Sequence, residues 1–320
     1  MTPADTTGDS TGDGARDRPE GEFTTVHLPV LANEVMAGLE IQPGQTVVDG
    51  TLGGGGHTSL FLEAVGPTGR VISLDRDHGA VARAKIRFAG VAHFTAIQGN
   101  FCDLADVLQE LEIAHVEAIL LDLGLSSDQL AATDRGFSFD SDGELDLRFD
   151  QEEGEPAWQL LRHVPEKTLA DLIYQYGEER YSRRIARYLV AARRKTPIRT
   201  ARELADLVRR CVPRSPGLKI HPATRTFQAL RIAVNRELES LEWALERFPQ
   251  VLAPGGRLAV ISFHSLEDRR VKQAFRSISD YEILTKKPIR PNEAEIRRNP
   301  RSRSARLRLA RRMTQIEPAT

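Results

Sequence analysis

The chain has 320 residues, 40% of them hydrophobic and 28% charged, with a net charge of −1. That length allows one large domain or two modest ones, and the only cysteines, Cys102 and Cys211, exclude a disulfide framework and a cysteine-based zinc cluster. No apolar run approaches a membrane span and no hydrophobic signal segment opens the chain, so a cytoplasmic address is expected. Residues 1–22 are rich in Asp, Thr, Gly and Pro without apolar periodicity and read as a disordered acidic tail. Folded structure is expected to begin near His27-Leu28-Pro29-Val30, with Asn33 capping a short helix through Leu39.

The strongest local signal is VVDGTLGGGGHTS at Val47–Ser59. Val47 and Val48 end an apolar run of the kind found in buried parallel strands. Asp49 closes it, Gly53, Gly54, Gly55 and Gly56 follow, and Thr58–Ala64 reads as a helix. Glycines permit positive φ and close approach of a ligand to the main chain, while a helix N-terminus leaves N–H groups free to face the loop. Strand, glycine turn and helix make the opening βα unit of a nucleotide-type cofactor site. A second strand, Arg70–Asp75, ends in a carboxylate about 20 residues beyond the loop, where such folds place the acid that holds ribose hydroxyls. Val81–Phe88 reads as a helix and Phe94–Gln98 as a third strand. Phe101, in the loop that follows, suits either an adenine face or the core. Ala118–Leu123 is a fourth strand, apolar as far as Asp122. Ligands of open parallel sheets sit outside the carboxyl ends of the strands, which puts Asp49, Asp75, the Phe101 loop and Asp122 on one rim.

The βα rhythm then stops. Arg135–Phe139 and Leu145–Phe149 read as loops, and from Pro156 to Cys211 the pattern is helical. Glu178–Lys195 carries Tyr181, Ile185, Tyr188, Leu189 and Ala192 on one face and Arg180, Arg184, Arg187 and Arg194 on the other, which is either a nucleic-acid grip or a solvated face. Thr200 and Glu203 form a capping box. Pro222–Phe248 reads as one long helix with Phe227, Leu230, Val234, Leu238, Leu241 and Leu245 as its buried stripe and Asn235 on a flank toward the cleft. Arg257–Phe263 is a fifth strand, and Ser265 is a natural N-cap for the helix after it. His264 has no companion at metal-ligand spacing, so no metal site is expected. Lys286–Arg312 holds eleven Lys and Arg residues opposed by Glu293 and Glu295, the footprint of a phosphate-neutralising surface. Within it Ser304–Leu309 reads as a strand.

A nicotinamide dinucleotide and S-adenosylmethionine both fit this pattern. A pyrophosphate calls for a GxGxxG turn on a helix N-terminus. Asp49 ahead of this turn would repel a pyrophosphate but suits an ammonium group, which tilts the choice toward the methyl donor. The blocks HLPVL (His27–Leu31), VVDGTLGGGGHTS, LDRD (Leu74–Asp77), LLDLGLSSDQL (Leu120–Leu130), RGFSF (Arg135–Phe139), YGEERYSRRIA (Tyr176–Ala186), HPATRTFQALRIAVNREL (His221–Leu238), ISFHSLEDRRVK (Ile261–Lys272) and NPRSRSARLR (Asn299–Arg308) occur in order along nearly the whole chain. In these blocks it resembles the bacterial ribosomal RNA small-subunit methyltransferase H family, also called MraW. LDLRF at Leu145–Phe149 departs from the family's LDMRM but keeps Asp146 and Arg148.

The resemblance implies an α/β fold: a class I, Rossmann-like, S-adenosylmethionine-dependent methyltransferase sheet over residues 23–135 and 220–320, with an all-helical substrate-binding domain inserted over 136–219. It implies cofactor contacts at Gly55, Gly56, His57, Asp75, Phe101, Asp122 and Gln129. The implied reaction is methylation of the exocyclic N4 of a cytidine in the decoding region of 16S ribosomal RNA, naked or within the small subunit, with no metal and no membrane. Amino-methylating enzymes commonly carry an Asp/Asn/Ser-Pro-Pro-aromatic turn after the fourth strand. DLGLSS stands there without prolines, which leaves the acceptor for the amine protons open among Asp122, Ser126, Asn235 and His264. Two rival classes are a dehydrogenase on the same fold and a non-catalytic RNA-binding or ribosome-assembly factor that keeps the pocket.

Overall fold

The computed structural model describes residues 28–213 and 221–314. The acidic tail expected over residues 1–22 lies outside them. After helix α1 (Ala32–Leu39) the chain alternates strand and helix: β1 (Thr46–Asp49), α2 (Gly56–Val65), β2 (Arg70–Asp75), α3 (His78–Arg87), β3 (Phe94–Gln98), α4 (Leu104–Glu110), β4 (Val116–Asp122) and the short α5 (Ser127–Ala131). Five helices follow, α6 (Ala157–His163), α7 (Glu166–Gly177), α8 (Ser182–Arg193), α9 (Ala201–Cys211) and α10 (Thr224–Asn235). The sheet resumes through α11 (Glu237–Val251), β5 (Leu252–Ser262), α12 (Ser265–Ser277), β6 (Tyr281–Ile283), α13 (Glu293–Arg298) and β7 (Arg306–Arg312).

The seven strands lie in the order β3-β2-β1-β4-β5-β7-β6. β1 to β5 pair in parallel, and β7 runs antiparallel between β5 and β6. The apolar runs follow from burial on both faces. Val48, Ile72 and Ile119 face one core with α4, α11 and α12, whereas their neighbours Val47, Val71 and Ala118 face another with α1 and α2. A separate core gathers Phe137, Leu145 and Leu147 with apolar residues of α6 to α10.

The stretch expected as one helix over Pro222–Phe248 is two. Arg236, at φ 51°, breaks it between α10 and α11. The stripe serves two different surfaces: Phe227 and Leu230 enter the helical core, while Leu241 and Leu245 pack on the sheet. A straight helix cannot reach both, and one left-handed residue makes the bend at a steric cost that packing covers. Among the described residues no helix is long and apolar enough to cross a membrane.

Candidate active site

A cavity of about 290 Å³ opens outside the carboxyl ends of β1, β2, β4 and β5. The glycine turn forms its floor. Gly55, at φ 73°, is the N-cap of α2, a conformation that a side chain strains. Gly53, Gly54, Gly56 and His57 line the cavity, while Gly55 does not. At Gly50 an added Cβ would lie 2.6 Å from Leu121 Cδ2 and 3.1 Å from Phe101 Cβ, so the absence of a side chain there lets the Phe101 loop close on β1.

Asp75 and Phe101 both line the cavity. Asp75 Oδ2 accepts the Gly53 N–H at 2.8 Å and Oδ1 accepts the Asp77 N–H at 2.8 Å. Burial pushes its carboxyl up to about 6, against the lowering effect of those two N–H groups. Each oxygen retains a lone pair for a ribose hydroxyl. Phe101 packs partly against the sheet core, and Asn100 beside it donates to Ser240 Oγ of α11 at 3.0 Å.

Asp49 does not reach the rim. It is 1% exposed, accepting from Thr58 Oγ1 at 2.7 Å and the Thr51 N–H at 3.2 Å. Burial raises its carboxyl, and His57 works the other way. It stitches the turn from beneath and, contrary to the expectation from spacing, does not face the cavity to meet an ammonium group. Asp122 takes the place on the cavity wall. Its Oδ1 is buried without a hydrogen-bond partner, and neither ring nitrogen of the buried His57 has one. His57 Nε2 stands 3.6 Å from Asp122 Oδ2. Buried polar atoms without partners are costly, so these mark where a polar ligand belongs. A ligand carrying ribose hydroxyls and an adenine fits Asp75 and Phe101 in donor and acceptor type.

The remaining expected residues divide. Gln129 and Ser126 line the cavity but bind each other: Ser126 Oγ accepts the Gln129 N–H, and Gln129 Oε1 accepts the Ser126 N–H. Gln129 Nε2 also points to Asp77 Oδ2 at 3.4 Å, which Arg135 holds at 2.6 Å. Asn235 is not in the cleft. Its Oδ1 accepts the Phe149 N–H and its Nδ2 donates to the Leu147 and Arg231 carbonyls, leaving no group to act on a substrate, so its catalytic assignment is corrected to a structural one.

His264, not Ser265, is the N-cap of α12: its Nδ1 accepts the Glu267 N–H, and Glu267 Oε2 accepts back from the His264 N–H. Ser265 Oγ donates to Glu178 Oε2, and Arg269 pairs with Glu178 at 3.1 Å, tying the end of α7 to α12. The expectation that His264 lacks companions also fails, because Glu237 and Glu267 lie within 4.8 Å of it. Nε2 of His264 stands 3.1 Å from Glu267 Oε1 without a hydrogen-bond partner. Arg231 grips both Glu237 oxygens at 2.8 and 2.9 Å. Glu237 is thus held by Arg231 and Glu267 by main-chain N–H groups, while His264 Nε2 is left without a hydrogen bond. Glu237 and Glu267 line the cavity and escaped sequence reasoning. The HSLE spacing of a capping box signals Glu267, but nothing local signals Glu237, which depends on the break at Arg236.

The basic C-terminal segment also divides. Arg306 and Arg308 pair with Asp268, Arg311 pairs with Glu282, and Arg312 donates to the Leu252 carbonyl. Arg298 and Arg301 are exposed and line the cleft. Beside them lie Leu28 to Val30, held by Leu31 N–H to Glu295 Oε1 at 2.7 Å and Asn299 Nδ2 to the Leu28 carbonyl at 3.1 Å. On α8, Arg183 pairs with Asp171 and Arg187 with Glu166, while Arg184 lies over Tyr188 and Arg180, just before the helix, over Tyr181.

Residues 24–313 match the MraW methylase family. The chain belongs to that family. It is 51% identical over 300 residues to the ribosomal RNA small subunit methyltransferase H of Rhodopirellula baltica, covering 90% of this chain and 92% of that one. The protein of the same name from Cyanothece sp. is 50% identical over 299 residues, covering 93% and 98%. A solved rRNA methylase from Streptococcus thermophilus aligns at 10% identity and a TM-score of 0.43, covering 89% of this chain and 95% of its own. As an MraW-family member the chain has a class I methyltransferase sheet, with β7 as its single reversed strand. Its cofactor is S-adenosylmethionine.

Proposed function

We propose that this MraW-family chain methylates the exocyclic N4 of a cytidine in the decoding region of 16S ribosomal RNA, acting on RNA held in the small subunit. Family membership supports the reaction class and the donor. The observation that carries the chemistry is the buried, unpartnered Oδ1 of Asp122 on the cavity wall at the end of β4. A ribosomal RNA substrate brings a cytoplasmic address with it.

The amino nitrogen of cytosine is a weak nucleophile because its lone pair is delocalised into the ring. S-adenosylmethionine, when bound, supplies an electrophilic methyl group on a sulfonium. Asp122 Oδ1 accepts an amino hydrogen, returns electron density to N4, and receives the proton that N4 sheds. Asp75 and Phe101 hold ribose and adenine, so that alignment provides much of the rate. The target base leaves its stack to reach the cavity. The block 136–219 acts as the substrate-binding unit, and Arg298 and Arg301 at the mouth take RNA phosphates.

The test is transfer from methyl-labelled donor to isolated small subunits and to naked 16S RNA, followed by nucleoside digestion. Label in N4-methylcytidine is expected, more strongly with subunits. Label in another nucleoside, or none, overturns the reading.

A further inference from the structure

We infer that Glu267 is the residue that recognises the target base as an amino-bearing pyrimidine. This rests on the proposed reaction at a cytidine amine and adds the residue that selects for it.

The strand order divides the cavity. Phe101, Asp75 and the glycine turn follow β3, β2 and β1, and Asp122 stands at the end of β4. Beyond it lie Phe263, just after β5, and Glu267 in the first turn of α12, and then Arg298 and Arg301 ahead of β7. The expected cofactor contacts that line the cavity, Gly56, His57, Asp75, Phe101, Asp122 and Gln129, all lie at or before α5, which leaves the β5 side for the base. Phe263 is suited to receive it. A Cβ at Gly124 would stand 3.2 Å from the Phe263 ring, so the ring occupies the space beside the residues that follow Asp122. It is partly exposed and lines the cavity, a stacking surface for a pyrimidine.

Glu267 is buried yet lines the same cavity. Burial works to raise its carboxyl. His264, Arg231 and the Phe263 N–H together outweigh burial and hold it below the ordinary glutamate range. Oε2 accepts the Phe263 N–H at 2.8 Å and the His264 N–H at 3.3 Å, and Oε1 faces His264 Nε2 at 3.1 Å. A group fixed in this way is an acceptor only. Cytosine presents amino hydrogens at position 4, whereas uracil presents an oxygen there. An ionised carboxylate welcomes the first and repels the second. Asp122 takes one amino hydrogen and Glu267 the other. A largely buried network of Glu267, His264, Glu237 and Arg231 gives little net stability over apolar packing, and base selection accounts for its presence beside the cleft.

The experiment measures binding of the protein, with S-adenosylhomocysteine present, to small subunits whose 16S RNA carries either cytidine or uridine at the methylated position. The wild type is expected to bind the cytidine subunits at least about tenfold more tightly. Glu267→Gln retains a capping-box carbonyl but offers the base an N–H, and is expected to reduce the ratio below about threefold. Equal binding by the wild type overturns the inference whatever the variant does, and so does an unchanged ratio in Glu267→Gln. If labelled donor yields no N4-methylcytidine, the proposed function itself fails. If it yields that product while Glu267→Gln discriminates as before, only this inference fails.

Discussion

Between β1 and β3 the cleft wall is made of residues close together in sequence, each within a few positions of a strand end. Around β5 it is made of residues held by charged or polar partners: Arg231 grips Glu237 across the Arg236 break, Glu267 accepts the Phe263 and His264 N–H groups, and Asn299 reaches the Leu28 carbonyl. The first wall leaves polar atoms of His57 and Asp122 open to a ligand. The second engages its carboxylates, Glu237 with Arg231 and Glu267 with main-chain N–H groups, and leaves only His264 Nε2 without a hydrogen bond among the described residues. A cofactor that is the same in every turnover suits a wall built locally with open acceptors. A base that must be selected suits one whose carboxylates are already fixed by partners.

The sharpest test of that contrast is Asp122→Asn, which keeps the shape and removes the ionised acceptor. Turnover is expected to fall by at least about 10²-fold, measured by label incorporation, with the fold intact by thermal unfolding. Phe101→Ala acts on the donor alone. Losing one aromatic stacking partner costs about 1–3 kcal/mol, seen as weaker S-adenosylmethionine binding in calorimetry while subunit binding stays constant.

A pH titration separates Asp75 from its surroundings. Its folded carboxyl lies at about 6 against an ordinary value of 3.8, so the native protein takes up a proton at a higher pH than the unfolded chain does. Stability of the cofactor-free protein is therefore expected to gain from this group as pH falls from about 6 toward 4. Donor affinity is expected to fall over the same range, because protonated Asp75 loses an acceptor site for the ribose. Asp75→Asn should flatten both trends. Asn235→Ala leaves the Phe149 N–H and Leu147 carbonyl without their partner and should cost about 1–3 kcal/mol in urea unfolding, with donor affinity unchanged if the residue is purely structural. The smallest effect separates the two kinds of arginine. Arg298→Gln should lower the salt slope of RNA binding by about 0.7, whereas Arg311→Gln, already paired with Glu282, should leave it unaltered.

The same contrast explains what the sequence discloses. The strands, the glycine turn, Asp75, Phe101 and Asp122 are legible because strand, turn and helix within one βα unit are set by neighbours. Asp49 looks like a rim residue from spacing alone, and only the turn of the chain beneath Thr58 hides it. Asn235 and Glu237 are separated by Arg236, and no periodicity announces that the backbone bends there. The basic C-terminal stretch reads as one surface until β7 pairs with β5 and brings Arg306 and Arg308 to Asp268, nearly forty residues earlier in the chain.

The most direct measurement is a crystal structure of the protein with S-adenosylhomocysteine and cytidine soaked together. The account requires the adenine on Phe101, the ribose hydroxyls on Asp75, and the cytosine against Phe263 with its amino group between Asp122 and Glu267. A nucleoside settled elsewhere, or an adenosyl group on the β5 side of the cleft, would contradict it.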